Sequence, residues 1–156
     1  MQIKNLANAK LINSNFQGHD FNKADLRNAD LSGSNLRGAS LKEANLTDAK
    51  LTRVDLSGAD MNNALLYKAD LSQADLTGAD LTQANLKEAK LIETNLNSAN
   101  LNGAKISGAN LNQAQLRRSS LRSVNLRGAR LLEADLTESD FSGMFQKSSK
   151  KLKYPI

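Results

Sequence analysis

Cysteine is absent from the 156-residue chain, tryptophan is absent too, and there is a single proline and a single histidine. Each absence removes a class of explanation. Without cysteine there is no disulfide frame, thiolate nucleophile or Cys-ligated metal site. His19 has no second histidine with which to build a triad or a metal cage, so no catalytic, metal-binding or cofactor-binding residues are expected. Aromatic residues make up 4 %, too few for a core of large rings. No run of about 18 apolar residues occurs, which predicts no membrane insertion. No basic and apolar leader precedes the pattern that begins at Lys4. The expectation is a soluble, cytoplasmic, non-enzymatic protein.

What the chain has instead is a period of five. Every fifth residue from Leu6 to Leu136 is large and apolar, and Phe141 keeps the phase. We call this position i. Leucine fills it throughout except at Phe16, Phe21, Met61, Ile106 and Phe141. Position i−2 is alanine in 19 of the 28 pentapeptides, and most exceptions are Ser, Thr or Val, as at Ser34, Val54, Thr94 and Val124. Position i−1 is usually Asp or Asn, as in Ala24-Asp25-Leu26 and Ala109-Asn110-Leu111. A period of five matches neither helix nor strand. Wound as a helix, five residues turn about 500°, so the leucines would spiral round the whole surface. A fixed short repeat predicts a solenoid, each pentapeptide forming one side and one corner, with i and i−2 inside. One large and one small inward side chain per side suit a narrow tube.

A slower period sets the number of sides. Lys10, Lys50, Lys90 and Arg130 interrupt the i−1 position every 40 residues, with Asp30, Asp70 and Asn110 midway between them. A 20-residue coil stacks all seven into one column in which opposite charges are neighbours, at a strand spacing of about 4.8 Å. A three-sided coil would scatter them. The expectation is seven four-sided coils over residues 4–143, with residues 144–156 as a C-terminal cap and basic tail.

These residues resemble the pentapeptide-repeat family, and the match runs without interruption from Lys4 to Gly143. The resemblance implies an all-β fold, a right-handed quadrilateral parallel β-helix with β-turn corners and short stacked strands. The uninterrupted Leu-rich form is typical of cyanobacterial members. One branch of the family acts on DNA gyrase as a DNA mimic: acidic, rod-shaped, paired end to end, often with a projecting loop. This chain departs from that branch, with a net charge of +5 and no insertion that breaks the phase.

Candidate functional residues are few. Stacked i−1 carboxylates such as Asp55, Asp75, Asp60 and Asp80 read as corner caps on backbone N–H groups rather than acid–base pairs. Gly18, Gly38, Gly58 and Gly78 recur at i+2 and suit corners; no phosphate-loop motif surrounds them. The whole charge excess lies after residue 115, in Arg117, Arg118, Arg122, Arg127 and Arg130 and in the tail lysines Lys147, Lys150, Lys151 and Lys153. That cluster is the candidate site for an anionic partner, with Glu133, Asp135 and Glu138 near enough in sequence to neutralise it. Leu65 takes an Asp/Asn position and Tyr67 follows it, the best candidate for a side contact; Ile12, Ile92 and Leu132 also point outward. Phe16, Phe21 and Phe141 lie in the terminal coils. Met144 and Phe145 are expected to cover one open end and only Met1-Gln2-Ile3 the other, so an end-to-end homodimer is a further expectation. The functional expectation is a binding or scaffold module for a macromolecular partner, a protein. Its rivals are a gyrase- or topoisomerase-directed DNA mimic and a binder of anionic surfaces through the basic end.

Overall fold

The computed structural model describes residues 4–143. The expected C-terminal cap and tail, with Lys147, Lys150 and Lys151, and the N-terminal Met1-Gln2-Ile3 lie outside the described residues. The chain winds as a right-handed quadrilateral β-helix. Parallel bridges join each i−1 residue to the residue 20 further on, 24 bridges from Asn5↔Asp25 to Ser120↔Asp140. That is four per interface between seven coils, a rod roughly 34 Å tall at about 4.8 Å per coil. We number the faces by their i−1 columns: face 1 from Asn5, face 2 from Lys10, face 3 from Asn15 and face 4 from Asp20.

Each side is a single bridge, too short to be a strand of several residues. Corners begin at i and close as β-turns, with the N–H of i+3 donating to the carbonyl of i, as in Ala24 N→Phe21 O at 3.0 Å. Every i+2 residue has positive φ, between 53° and 61° at the non-glycines and 63° to 72° at the glycines. A single positive φ at the third turn residue is the mark of a type II turn. Lysine, glutamate and arginine rarely adopt this conformation. In the first six coils a second constraint holds them there, because the i+2 N–H also donates to the next coil, as in Glu43 N→Asn62 O at 3.0 Å.

The tube is filled as the repeat requires. From Phe21 to Leu121 every i side chain is buried, and so is the small residue two positions before each one from Ala24 onward. The hydroxyls that replace alanine are satisfied: Thr94 Oγ1 donates to Leu71 O at 2.8 Å, and Ser34 Oγ to Leu11 O at 2.6 Å. No buried side-chain polar atom among the described residues lacks a partner.

The first coil differs. Three of its four i−2 residues are polar, and each reaches a backbone carbonyl of its own coil: Lys4 Nζ to Asp20 O, Ser14 Oγ to Ile12 O at 3.4 Å, and the His19 ring to Gln17 O at 3.3 Å. Phe16, Phe21 and His19 pack together, the two phenyl rings edge to face at 5.3 Å. His19, at an i−2 position of this first coil, is exposed.

Candidate functional surface

The outward residues sort by what they do for the frame. All nineteen Asp and Asn residues at i−1 accept the N–H of i+1 through a side-chain oxygen. When i+1 is Ser or Thr the hydroxyl often adds a second bond, as from Thr77 Oγ1 to Asp75 at 2.6 Å. The carboxylate columns are therefore turn caps.

Sequence reasoning missed the substitute for this cap. Where i−1 is Ser40, Gln115, Ser120 or Arg130, an asparagine at i+1 of the preceding coil supplies the acceptor: Asn22, Asn97, Asn102 and Asn112 take the N–H groups of Lys42, Arg117, Arg122 and Leu132, at 2.9 to 3.0 Å. The only available signal was an asparagine 20 residues before the uncapped corner.

Three further exceptions, Lys10, Lys50 and Lys90, belong to the charge column on face 2. The order Lys10, Asp30, Lys50, Asp70, Lys90, Asn110, Arg130 is the observed bridge order. Lys50 lies 3.8 Å from Asp30 and Lys90 lies 3.4 Å from Asp70. The Asp30 carboxyl is held below its ordinary range, mainly by the Ser32 hydroxyl, with Lys50 and Lys10 contributing charge.

Two exceptions remain, Leu65 and Lys105. They have neither a cap from the coil below nor a carboxylate neighbour in their column, and both are on face 1, in the order Asn45, Leu65, Asn85, Lys105, Asn125. Leu65 is 41 % exposed. Tyr67 stands at the adjoining corner, half-buried, its hydroxyl 3.3 Å from Glu88 and its ring 5.1 Å from Lys68 Nζ. The Tyr67 phenol, with Glu88 beyond it, raises the Lys68 ammonium above the usual lysine range.

The basic cluster is arranged as local ion pairs. Arg117 and Arg118 occupy the corner between faces 3 and 4 in the sixth coil, and Arg122 the next corner. Each meets a carboxylate of the seventh coil: Arg117 meets Asp135 at 3.7 Å, Arg118 meets Glu138 at 2.7 Å and Arg122 meets Asp140 at 2.5 Å. The Ser142 N–H and the Arg122 guanidinium lower the Asp140 carboxyl to about 2. The Arg118 guanidinium lowers Glu138. Arg127 lies apart from these three, on face 1, and makes no ion pair among the described residues.

No group of three or more His, Asp or Glu side chains among the described residues could hold a metal ion. No helix among them is long and apolar enough to cross a membrane.

This frame of stacked five-residue corners is that of a known family. The sequence profile described as pentapeptide repeats, in 8 copies, matches residues 5–42, 44–83, 79–118 and 114–144, and the chain belongs to that family. It is similar to HetL, a pentapeptide repeat protein involved in heterocyst differentiation regulation from the cyanobacterium Nostoc sp. strain PCC 7120. The identity is 34 % over 90 % of this chain and 71 % of that one, with a TM-score of 0.47. It is also similar to the pentapeptide repeat protein Rfr23 from the cyanobacterium Cyanothece 51142, at 38 % identity over 65 % of this chain and 63 % of that one, TM-score 0.33. Full-length QnrB1, a plasmid-mediated fluoroquinolone resistance protein, shares the fold at 20 % identity over 91 % of this chain and 88 % of that one, TM-score 0.55. No curated protein matches the chain by sequence.

Proposed function

We propose that this pentapeptide-repeat protein is a non-enzymatic binding module that holds a protein partner against a flat face of the rod, in the cytoplasm. The observation that carries this reading is the division between frame and display. Inward positions repeat almost without change, and nearly every i−1 position is used to cap a corner or pair a charge. Diversity is left to exposed positions on a rigid support, the arrangement by which solenoids present extended binding surfaces. Leu65 with Tyr67 supplies an apolar and aromatic contact of the kind that anchors protein interfaces. Capture of partners from the native host, with wild-type protein beside a Leu65→Asn/Tyr67→Ser variant, tests the reading. A protein retained by the wild type and lost by the variant supports it. No protein retained above an unrelated β-helix of similar charge overturns it.

A second reading, the topoisomerase-directed DNA mimic, has one observation in its favour. Only two of the 24 bridges stack carboxylate on carboxylate, Asp55↔Asp75 and Asp60↔Asp80, and they flank one corner in the third and fourth coils. Against it, Lys42 neutralises Asp60 at 2.9 Å, and the net charge is +5. A competitor for a phosphate-binding site needs continuous negative charge. The expected result is no inhibition of gyrase supercoiling at micromolar protein; dose-dependent inhibition would promote this reading over the first.

A further inference from the structure

We infer that face 1, from the fourth to the seventh coil, is the docking surface, and that its occupant is a short extended protein segment carrying an apolar side chain beside a run of carboxylates. This rests on the binding-module reading above and names its partner's chemistry. Leu65 and Lys105 are the two i−1 residues whose corners have no side-chain cap and whose columns offer no carboxylate neighbour. Both sit in the column where Asn45, Asn85 and Asn125 show that a cap fits. Placing leucine and lysine there forgoes a hydrogen bond and gains nothing visible for the frame.

The residues beside them share a character. Above Tyr67 in the adjoining corner column come Lys87 and then, two coils higher, Arg127. Lys87, Lys105 and Arg127 are all exposed and make no ion pair among the described residues. The nearest acid on that corner, Glu88, is engaged by Lys68 at 3.8 Å and by Tyr67. The surface therefore runs from an apolar patch into three uncompensated cations on successive coils, while Arg117, Arg118 and Arg122, on the two other corners that bound face 4, are matched by carboxylates.

Charge complementarity selects an acidic occupant. The apolar end selects a protein over a nucleic acid. A phosphate backbone offers nothing to cover Leu65, and no stacking series of aromatics accompanies the cations. From Leu65 to Arg127 is three coil steps, about 14 Å, which an extended chain crosses in roughly four to five residues. A segment lying along the rod would set its apolar residue on Leu65 and Tyr67 and its carboxylates on Lys87, Lys105 and Arg127.

The test uses full-length protein at low salt and fluorescence anisotropy with three labelled probes: a twelve-residue peptide of glutamates with one central phenylalanine, the same peptide with glycine for phenylalanine, and a DNA duplex of twelve base pairs. The phenylalanine peptide is expected to bind, and the glycine peptide to bind about threefold or more weaker. Lys87→Thr/Lys105→Asn/Arg127→Thr should weaken the phenylalanine peptide about tenfold, or about 1.4 kcal/mol. Leu65→Asn should reduce its preference for phenylalanine over glycine. Arg37→Ser/Arg53→Ser, on other faces, should leave binding within about twofold. Tighter binding of the duplex than of the peptide, equal binding of the two peptides, dependence on Arg117, Arg118 and Arg122 instead, or no binding by any probe overturns the assignment. If a host protein is still captured through Leu65 and Tyr67 when the peptide fails, only the partner chemistry is wrong. If that capture also fails, the binding-module reading falls with it.

Discussion

Faces 1 and 2 are built from the same pentapeptide on the same frame, and they break its i−1 rule in opposite ways. Face 2 replaces Asp or Asn with Lys10, Lys50, Lys90 and Arg130, and sets the lysines beside Asp30 and Asp70. Each lysine that gives up a cap gains an opposite charge one coil away. Face 1 replaces Asn with Leu65 and Lys105 and gains neither. A departure that the frame compensates is part of the architecture. A departure that it does not compensate is a candidate for function. Within one rod this comparison separates structural from functional charge better than net charge does.

The comparison depends on the two faces sharing one interior, and the largest predicted effects test that. Leu86→Ala under face 1 and Leu91→Ala under face 2 remove fully enclosed side chains of the same type. Each should cost about 2–5 kcal/mol, and the two should agree within a factor of about two. Denaturant unfolding measures both; a large disparity would show that the faces do not rest on equivalent cores. The reverse change, Ala74→Leu, puts a second large residue on one side of the tube, where Ala74 is 2 % exposed. Overpacking of this kind costs roughly 1–3 kcal/mol. A neutral result would show that the tube has room to spare and that its alanines are not set by volume.

Smaller effects come from the carboxylates. Arg27 lowers Asp25 on face 1 to about 2, and the Ser142 N–H with Arg122 does the same for Asp140 on face 4. A carboxyl depressed on folding contributes stability above its unfolded value, near 4, and that contribution is lost as pH falls through the folded value. The melting temperature should therefore fall between about pH 4 and pH 2. Asp140→Asn should be less stable at neutral pH and should lose less on acidification over the same range. An identical acid profile for the variant would remove this residue from the account. The smallest effect expected is for Leu65→Asn. A new cap on the Tyr67 N–H is worth about 0.5–1.5 kcal/mol, while the exposed leucine gives up its remaining apolar contact, of similar size at most. Stability should change by less than about 1 kcal/mol while partner capture falls.

Much of the fold was legible because the repeat leaves one solution for both periods. The inward positions follow from Leu and Ala at fixed phase, and the 20-residue coil from the alternation of Lys10, Asp30, Lys50 and Asp70. The left-handed corners were only partly legible. Nine glycines mark them, but Lys68, Glu88 and Arg118 hold the same positive φ, which local preference disfavours and which hydrogen bonds within and between coils impose. The surface was harder to read. Sequence order groups Arg117, Arg118, Arg122 and Arg127 as one basic cluster. Coiling places the first three against Asp135, Glu138 and Asp140 and moves Arg127 to another face, in line with Tyr67 and Lys87. Contacts 18 or 20 residues apart decide which charges remain unmatched, and a linear count of charge does not contain them. Likewise, Asn22, Asn97, Asn102 and Asn112 read as ordinary polar outward residues until the coil above is in place.

Face 1 forgoes frame stability at Lys105, and face 2 does not at Lys50. The most direct measurement is the change in unfolding free energy for Lys105→Asn set beside Lys50→Asn. Each variant installs a corner cap. Only Lys50→Asn also removes an ion pair, worth about 0–1 kcal/mol at an exposed site. Lys105→Asn is expected to stabilise the rod by about 0.5–1.5 kcal/mol, and Lys50→Asn to leave it within about 0.5 kcal/mol of wild type. A Lys105→Asn rod no more stable than the Lys50→Asn rod would show that nothing is forgone on face 1, and would contradict the account.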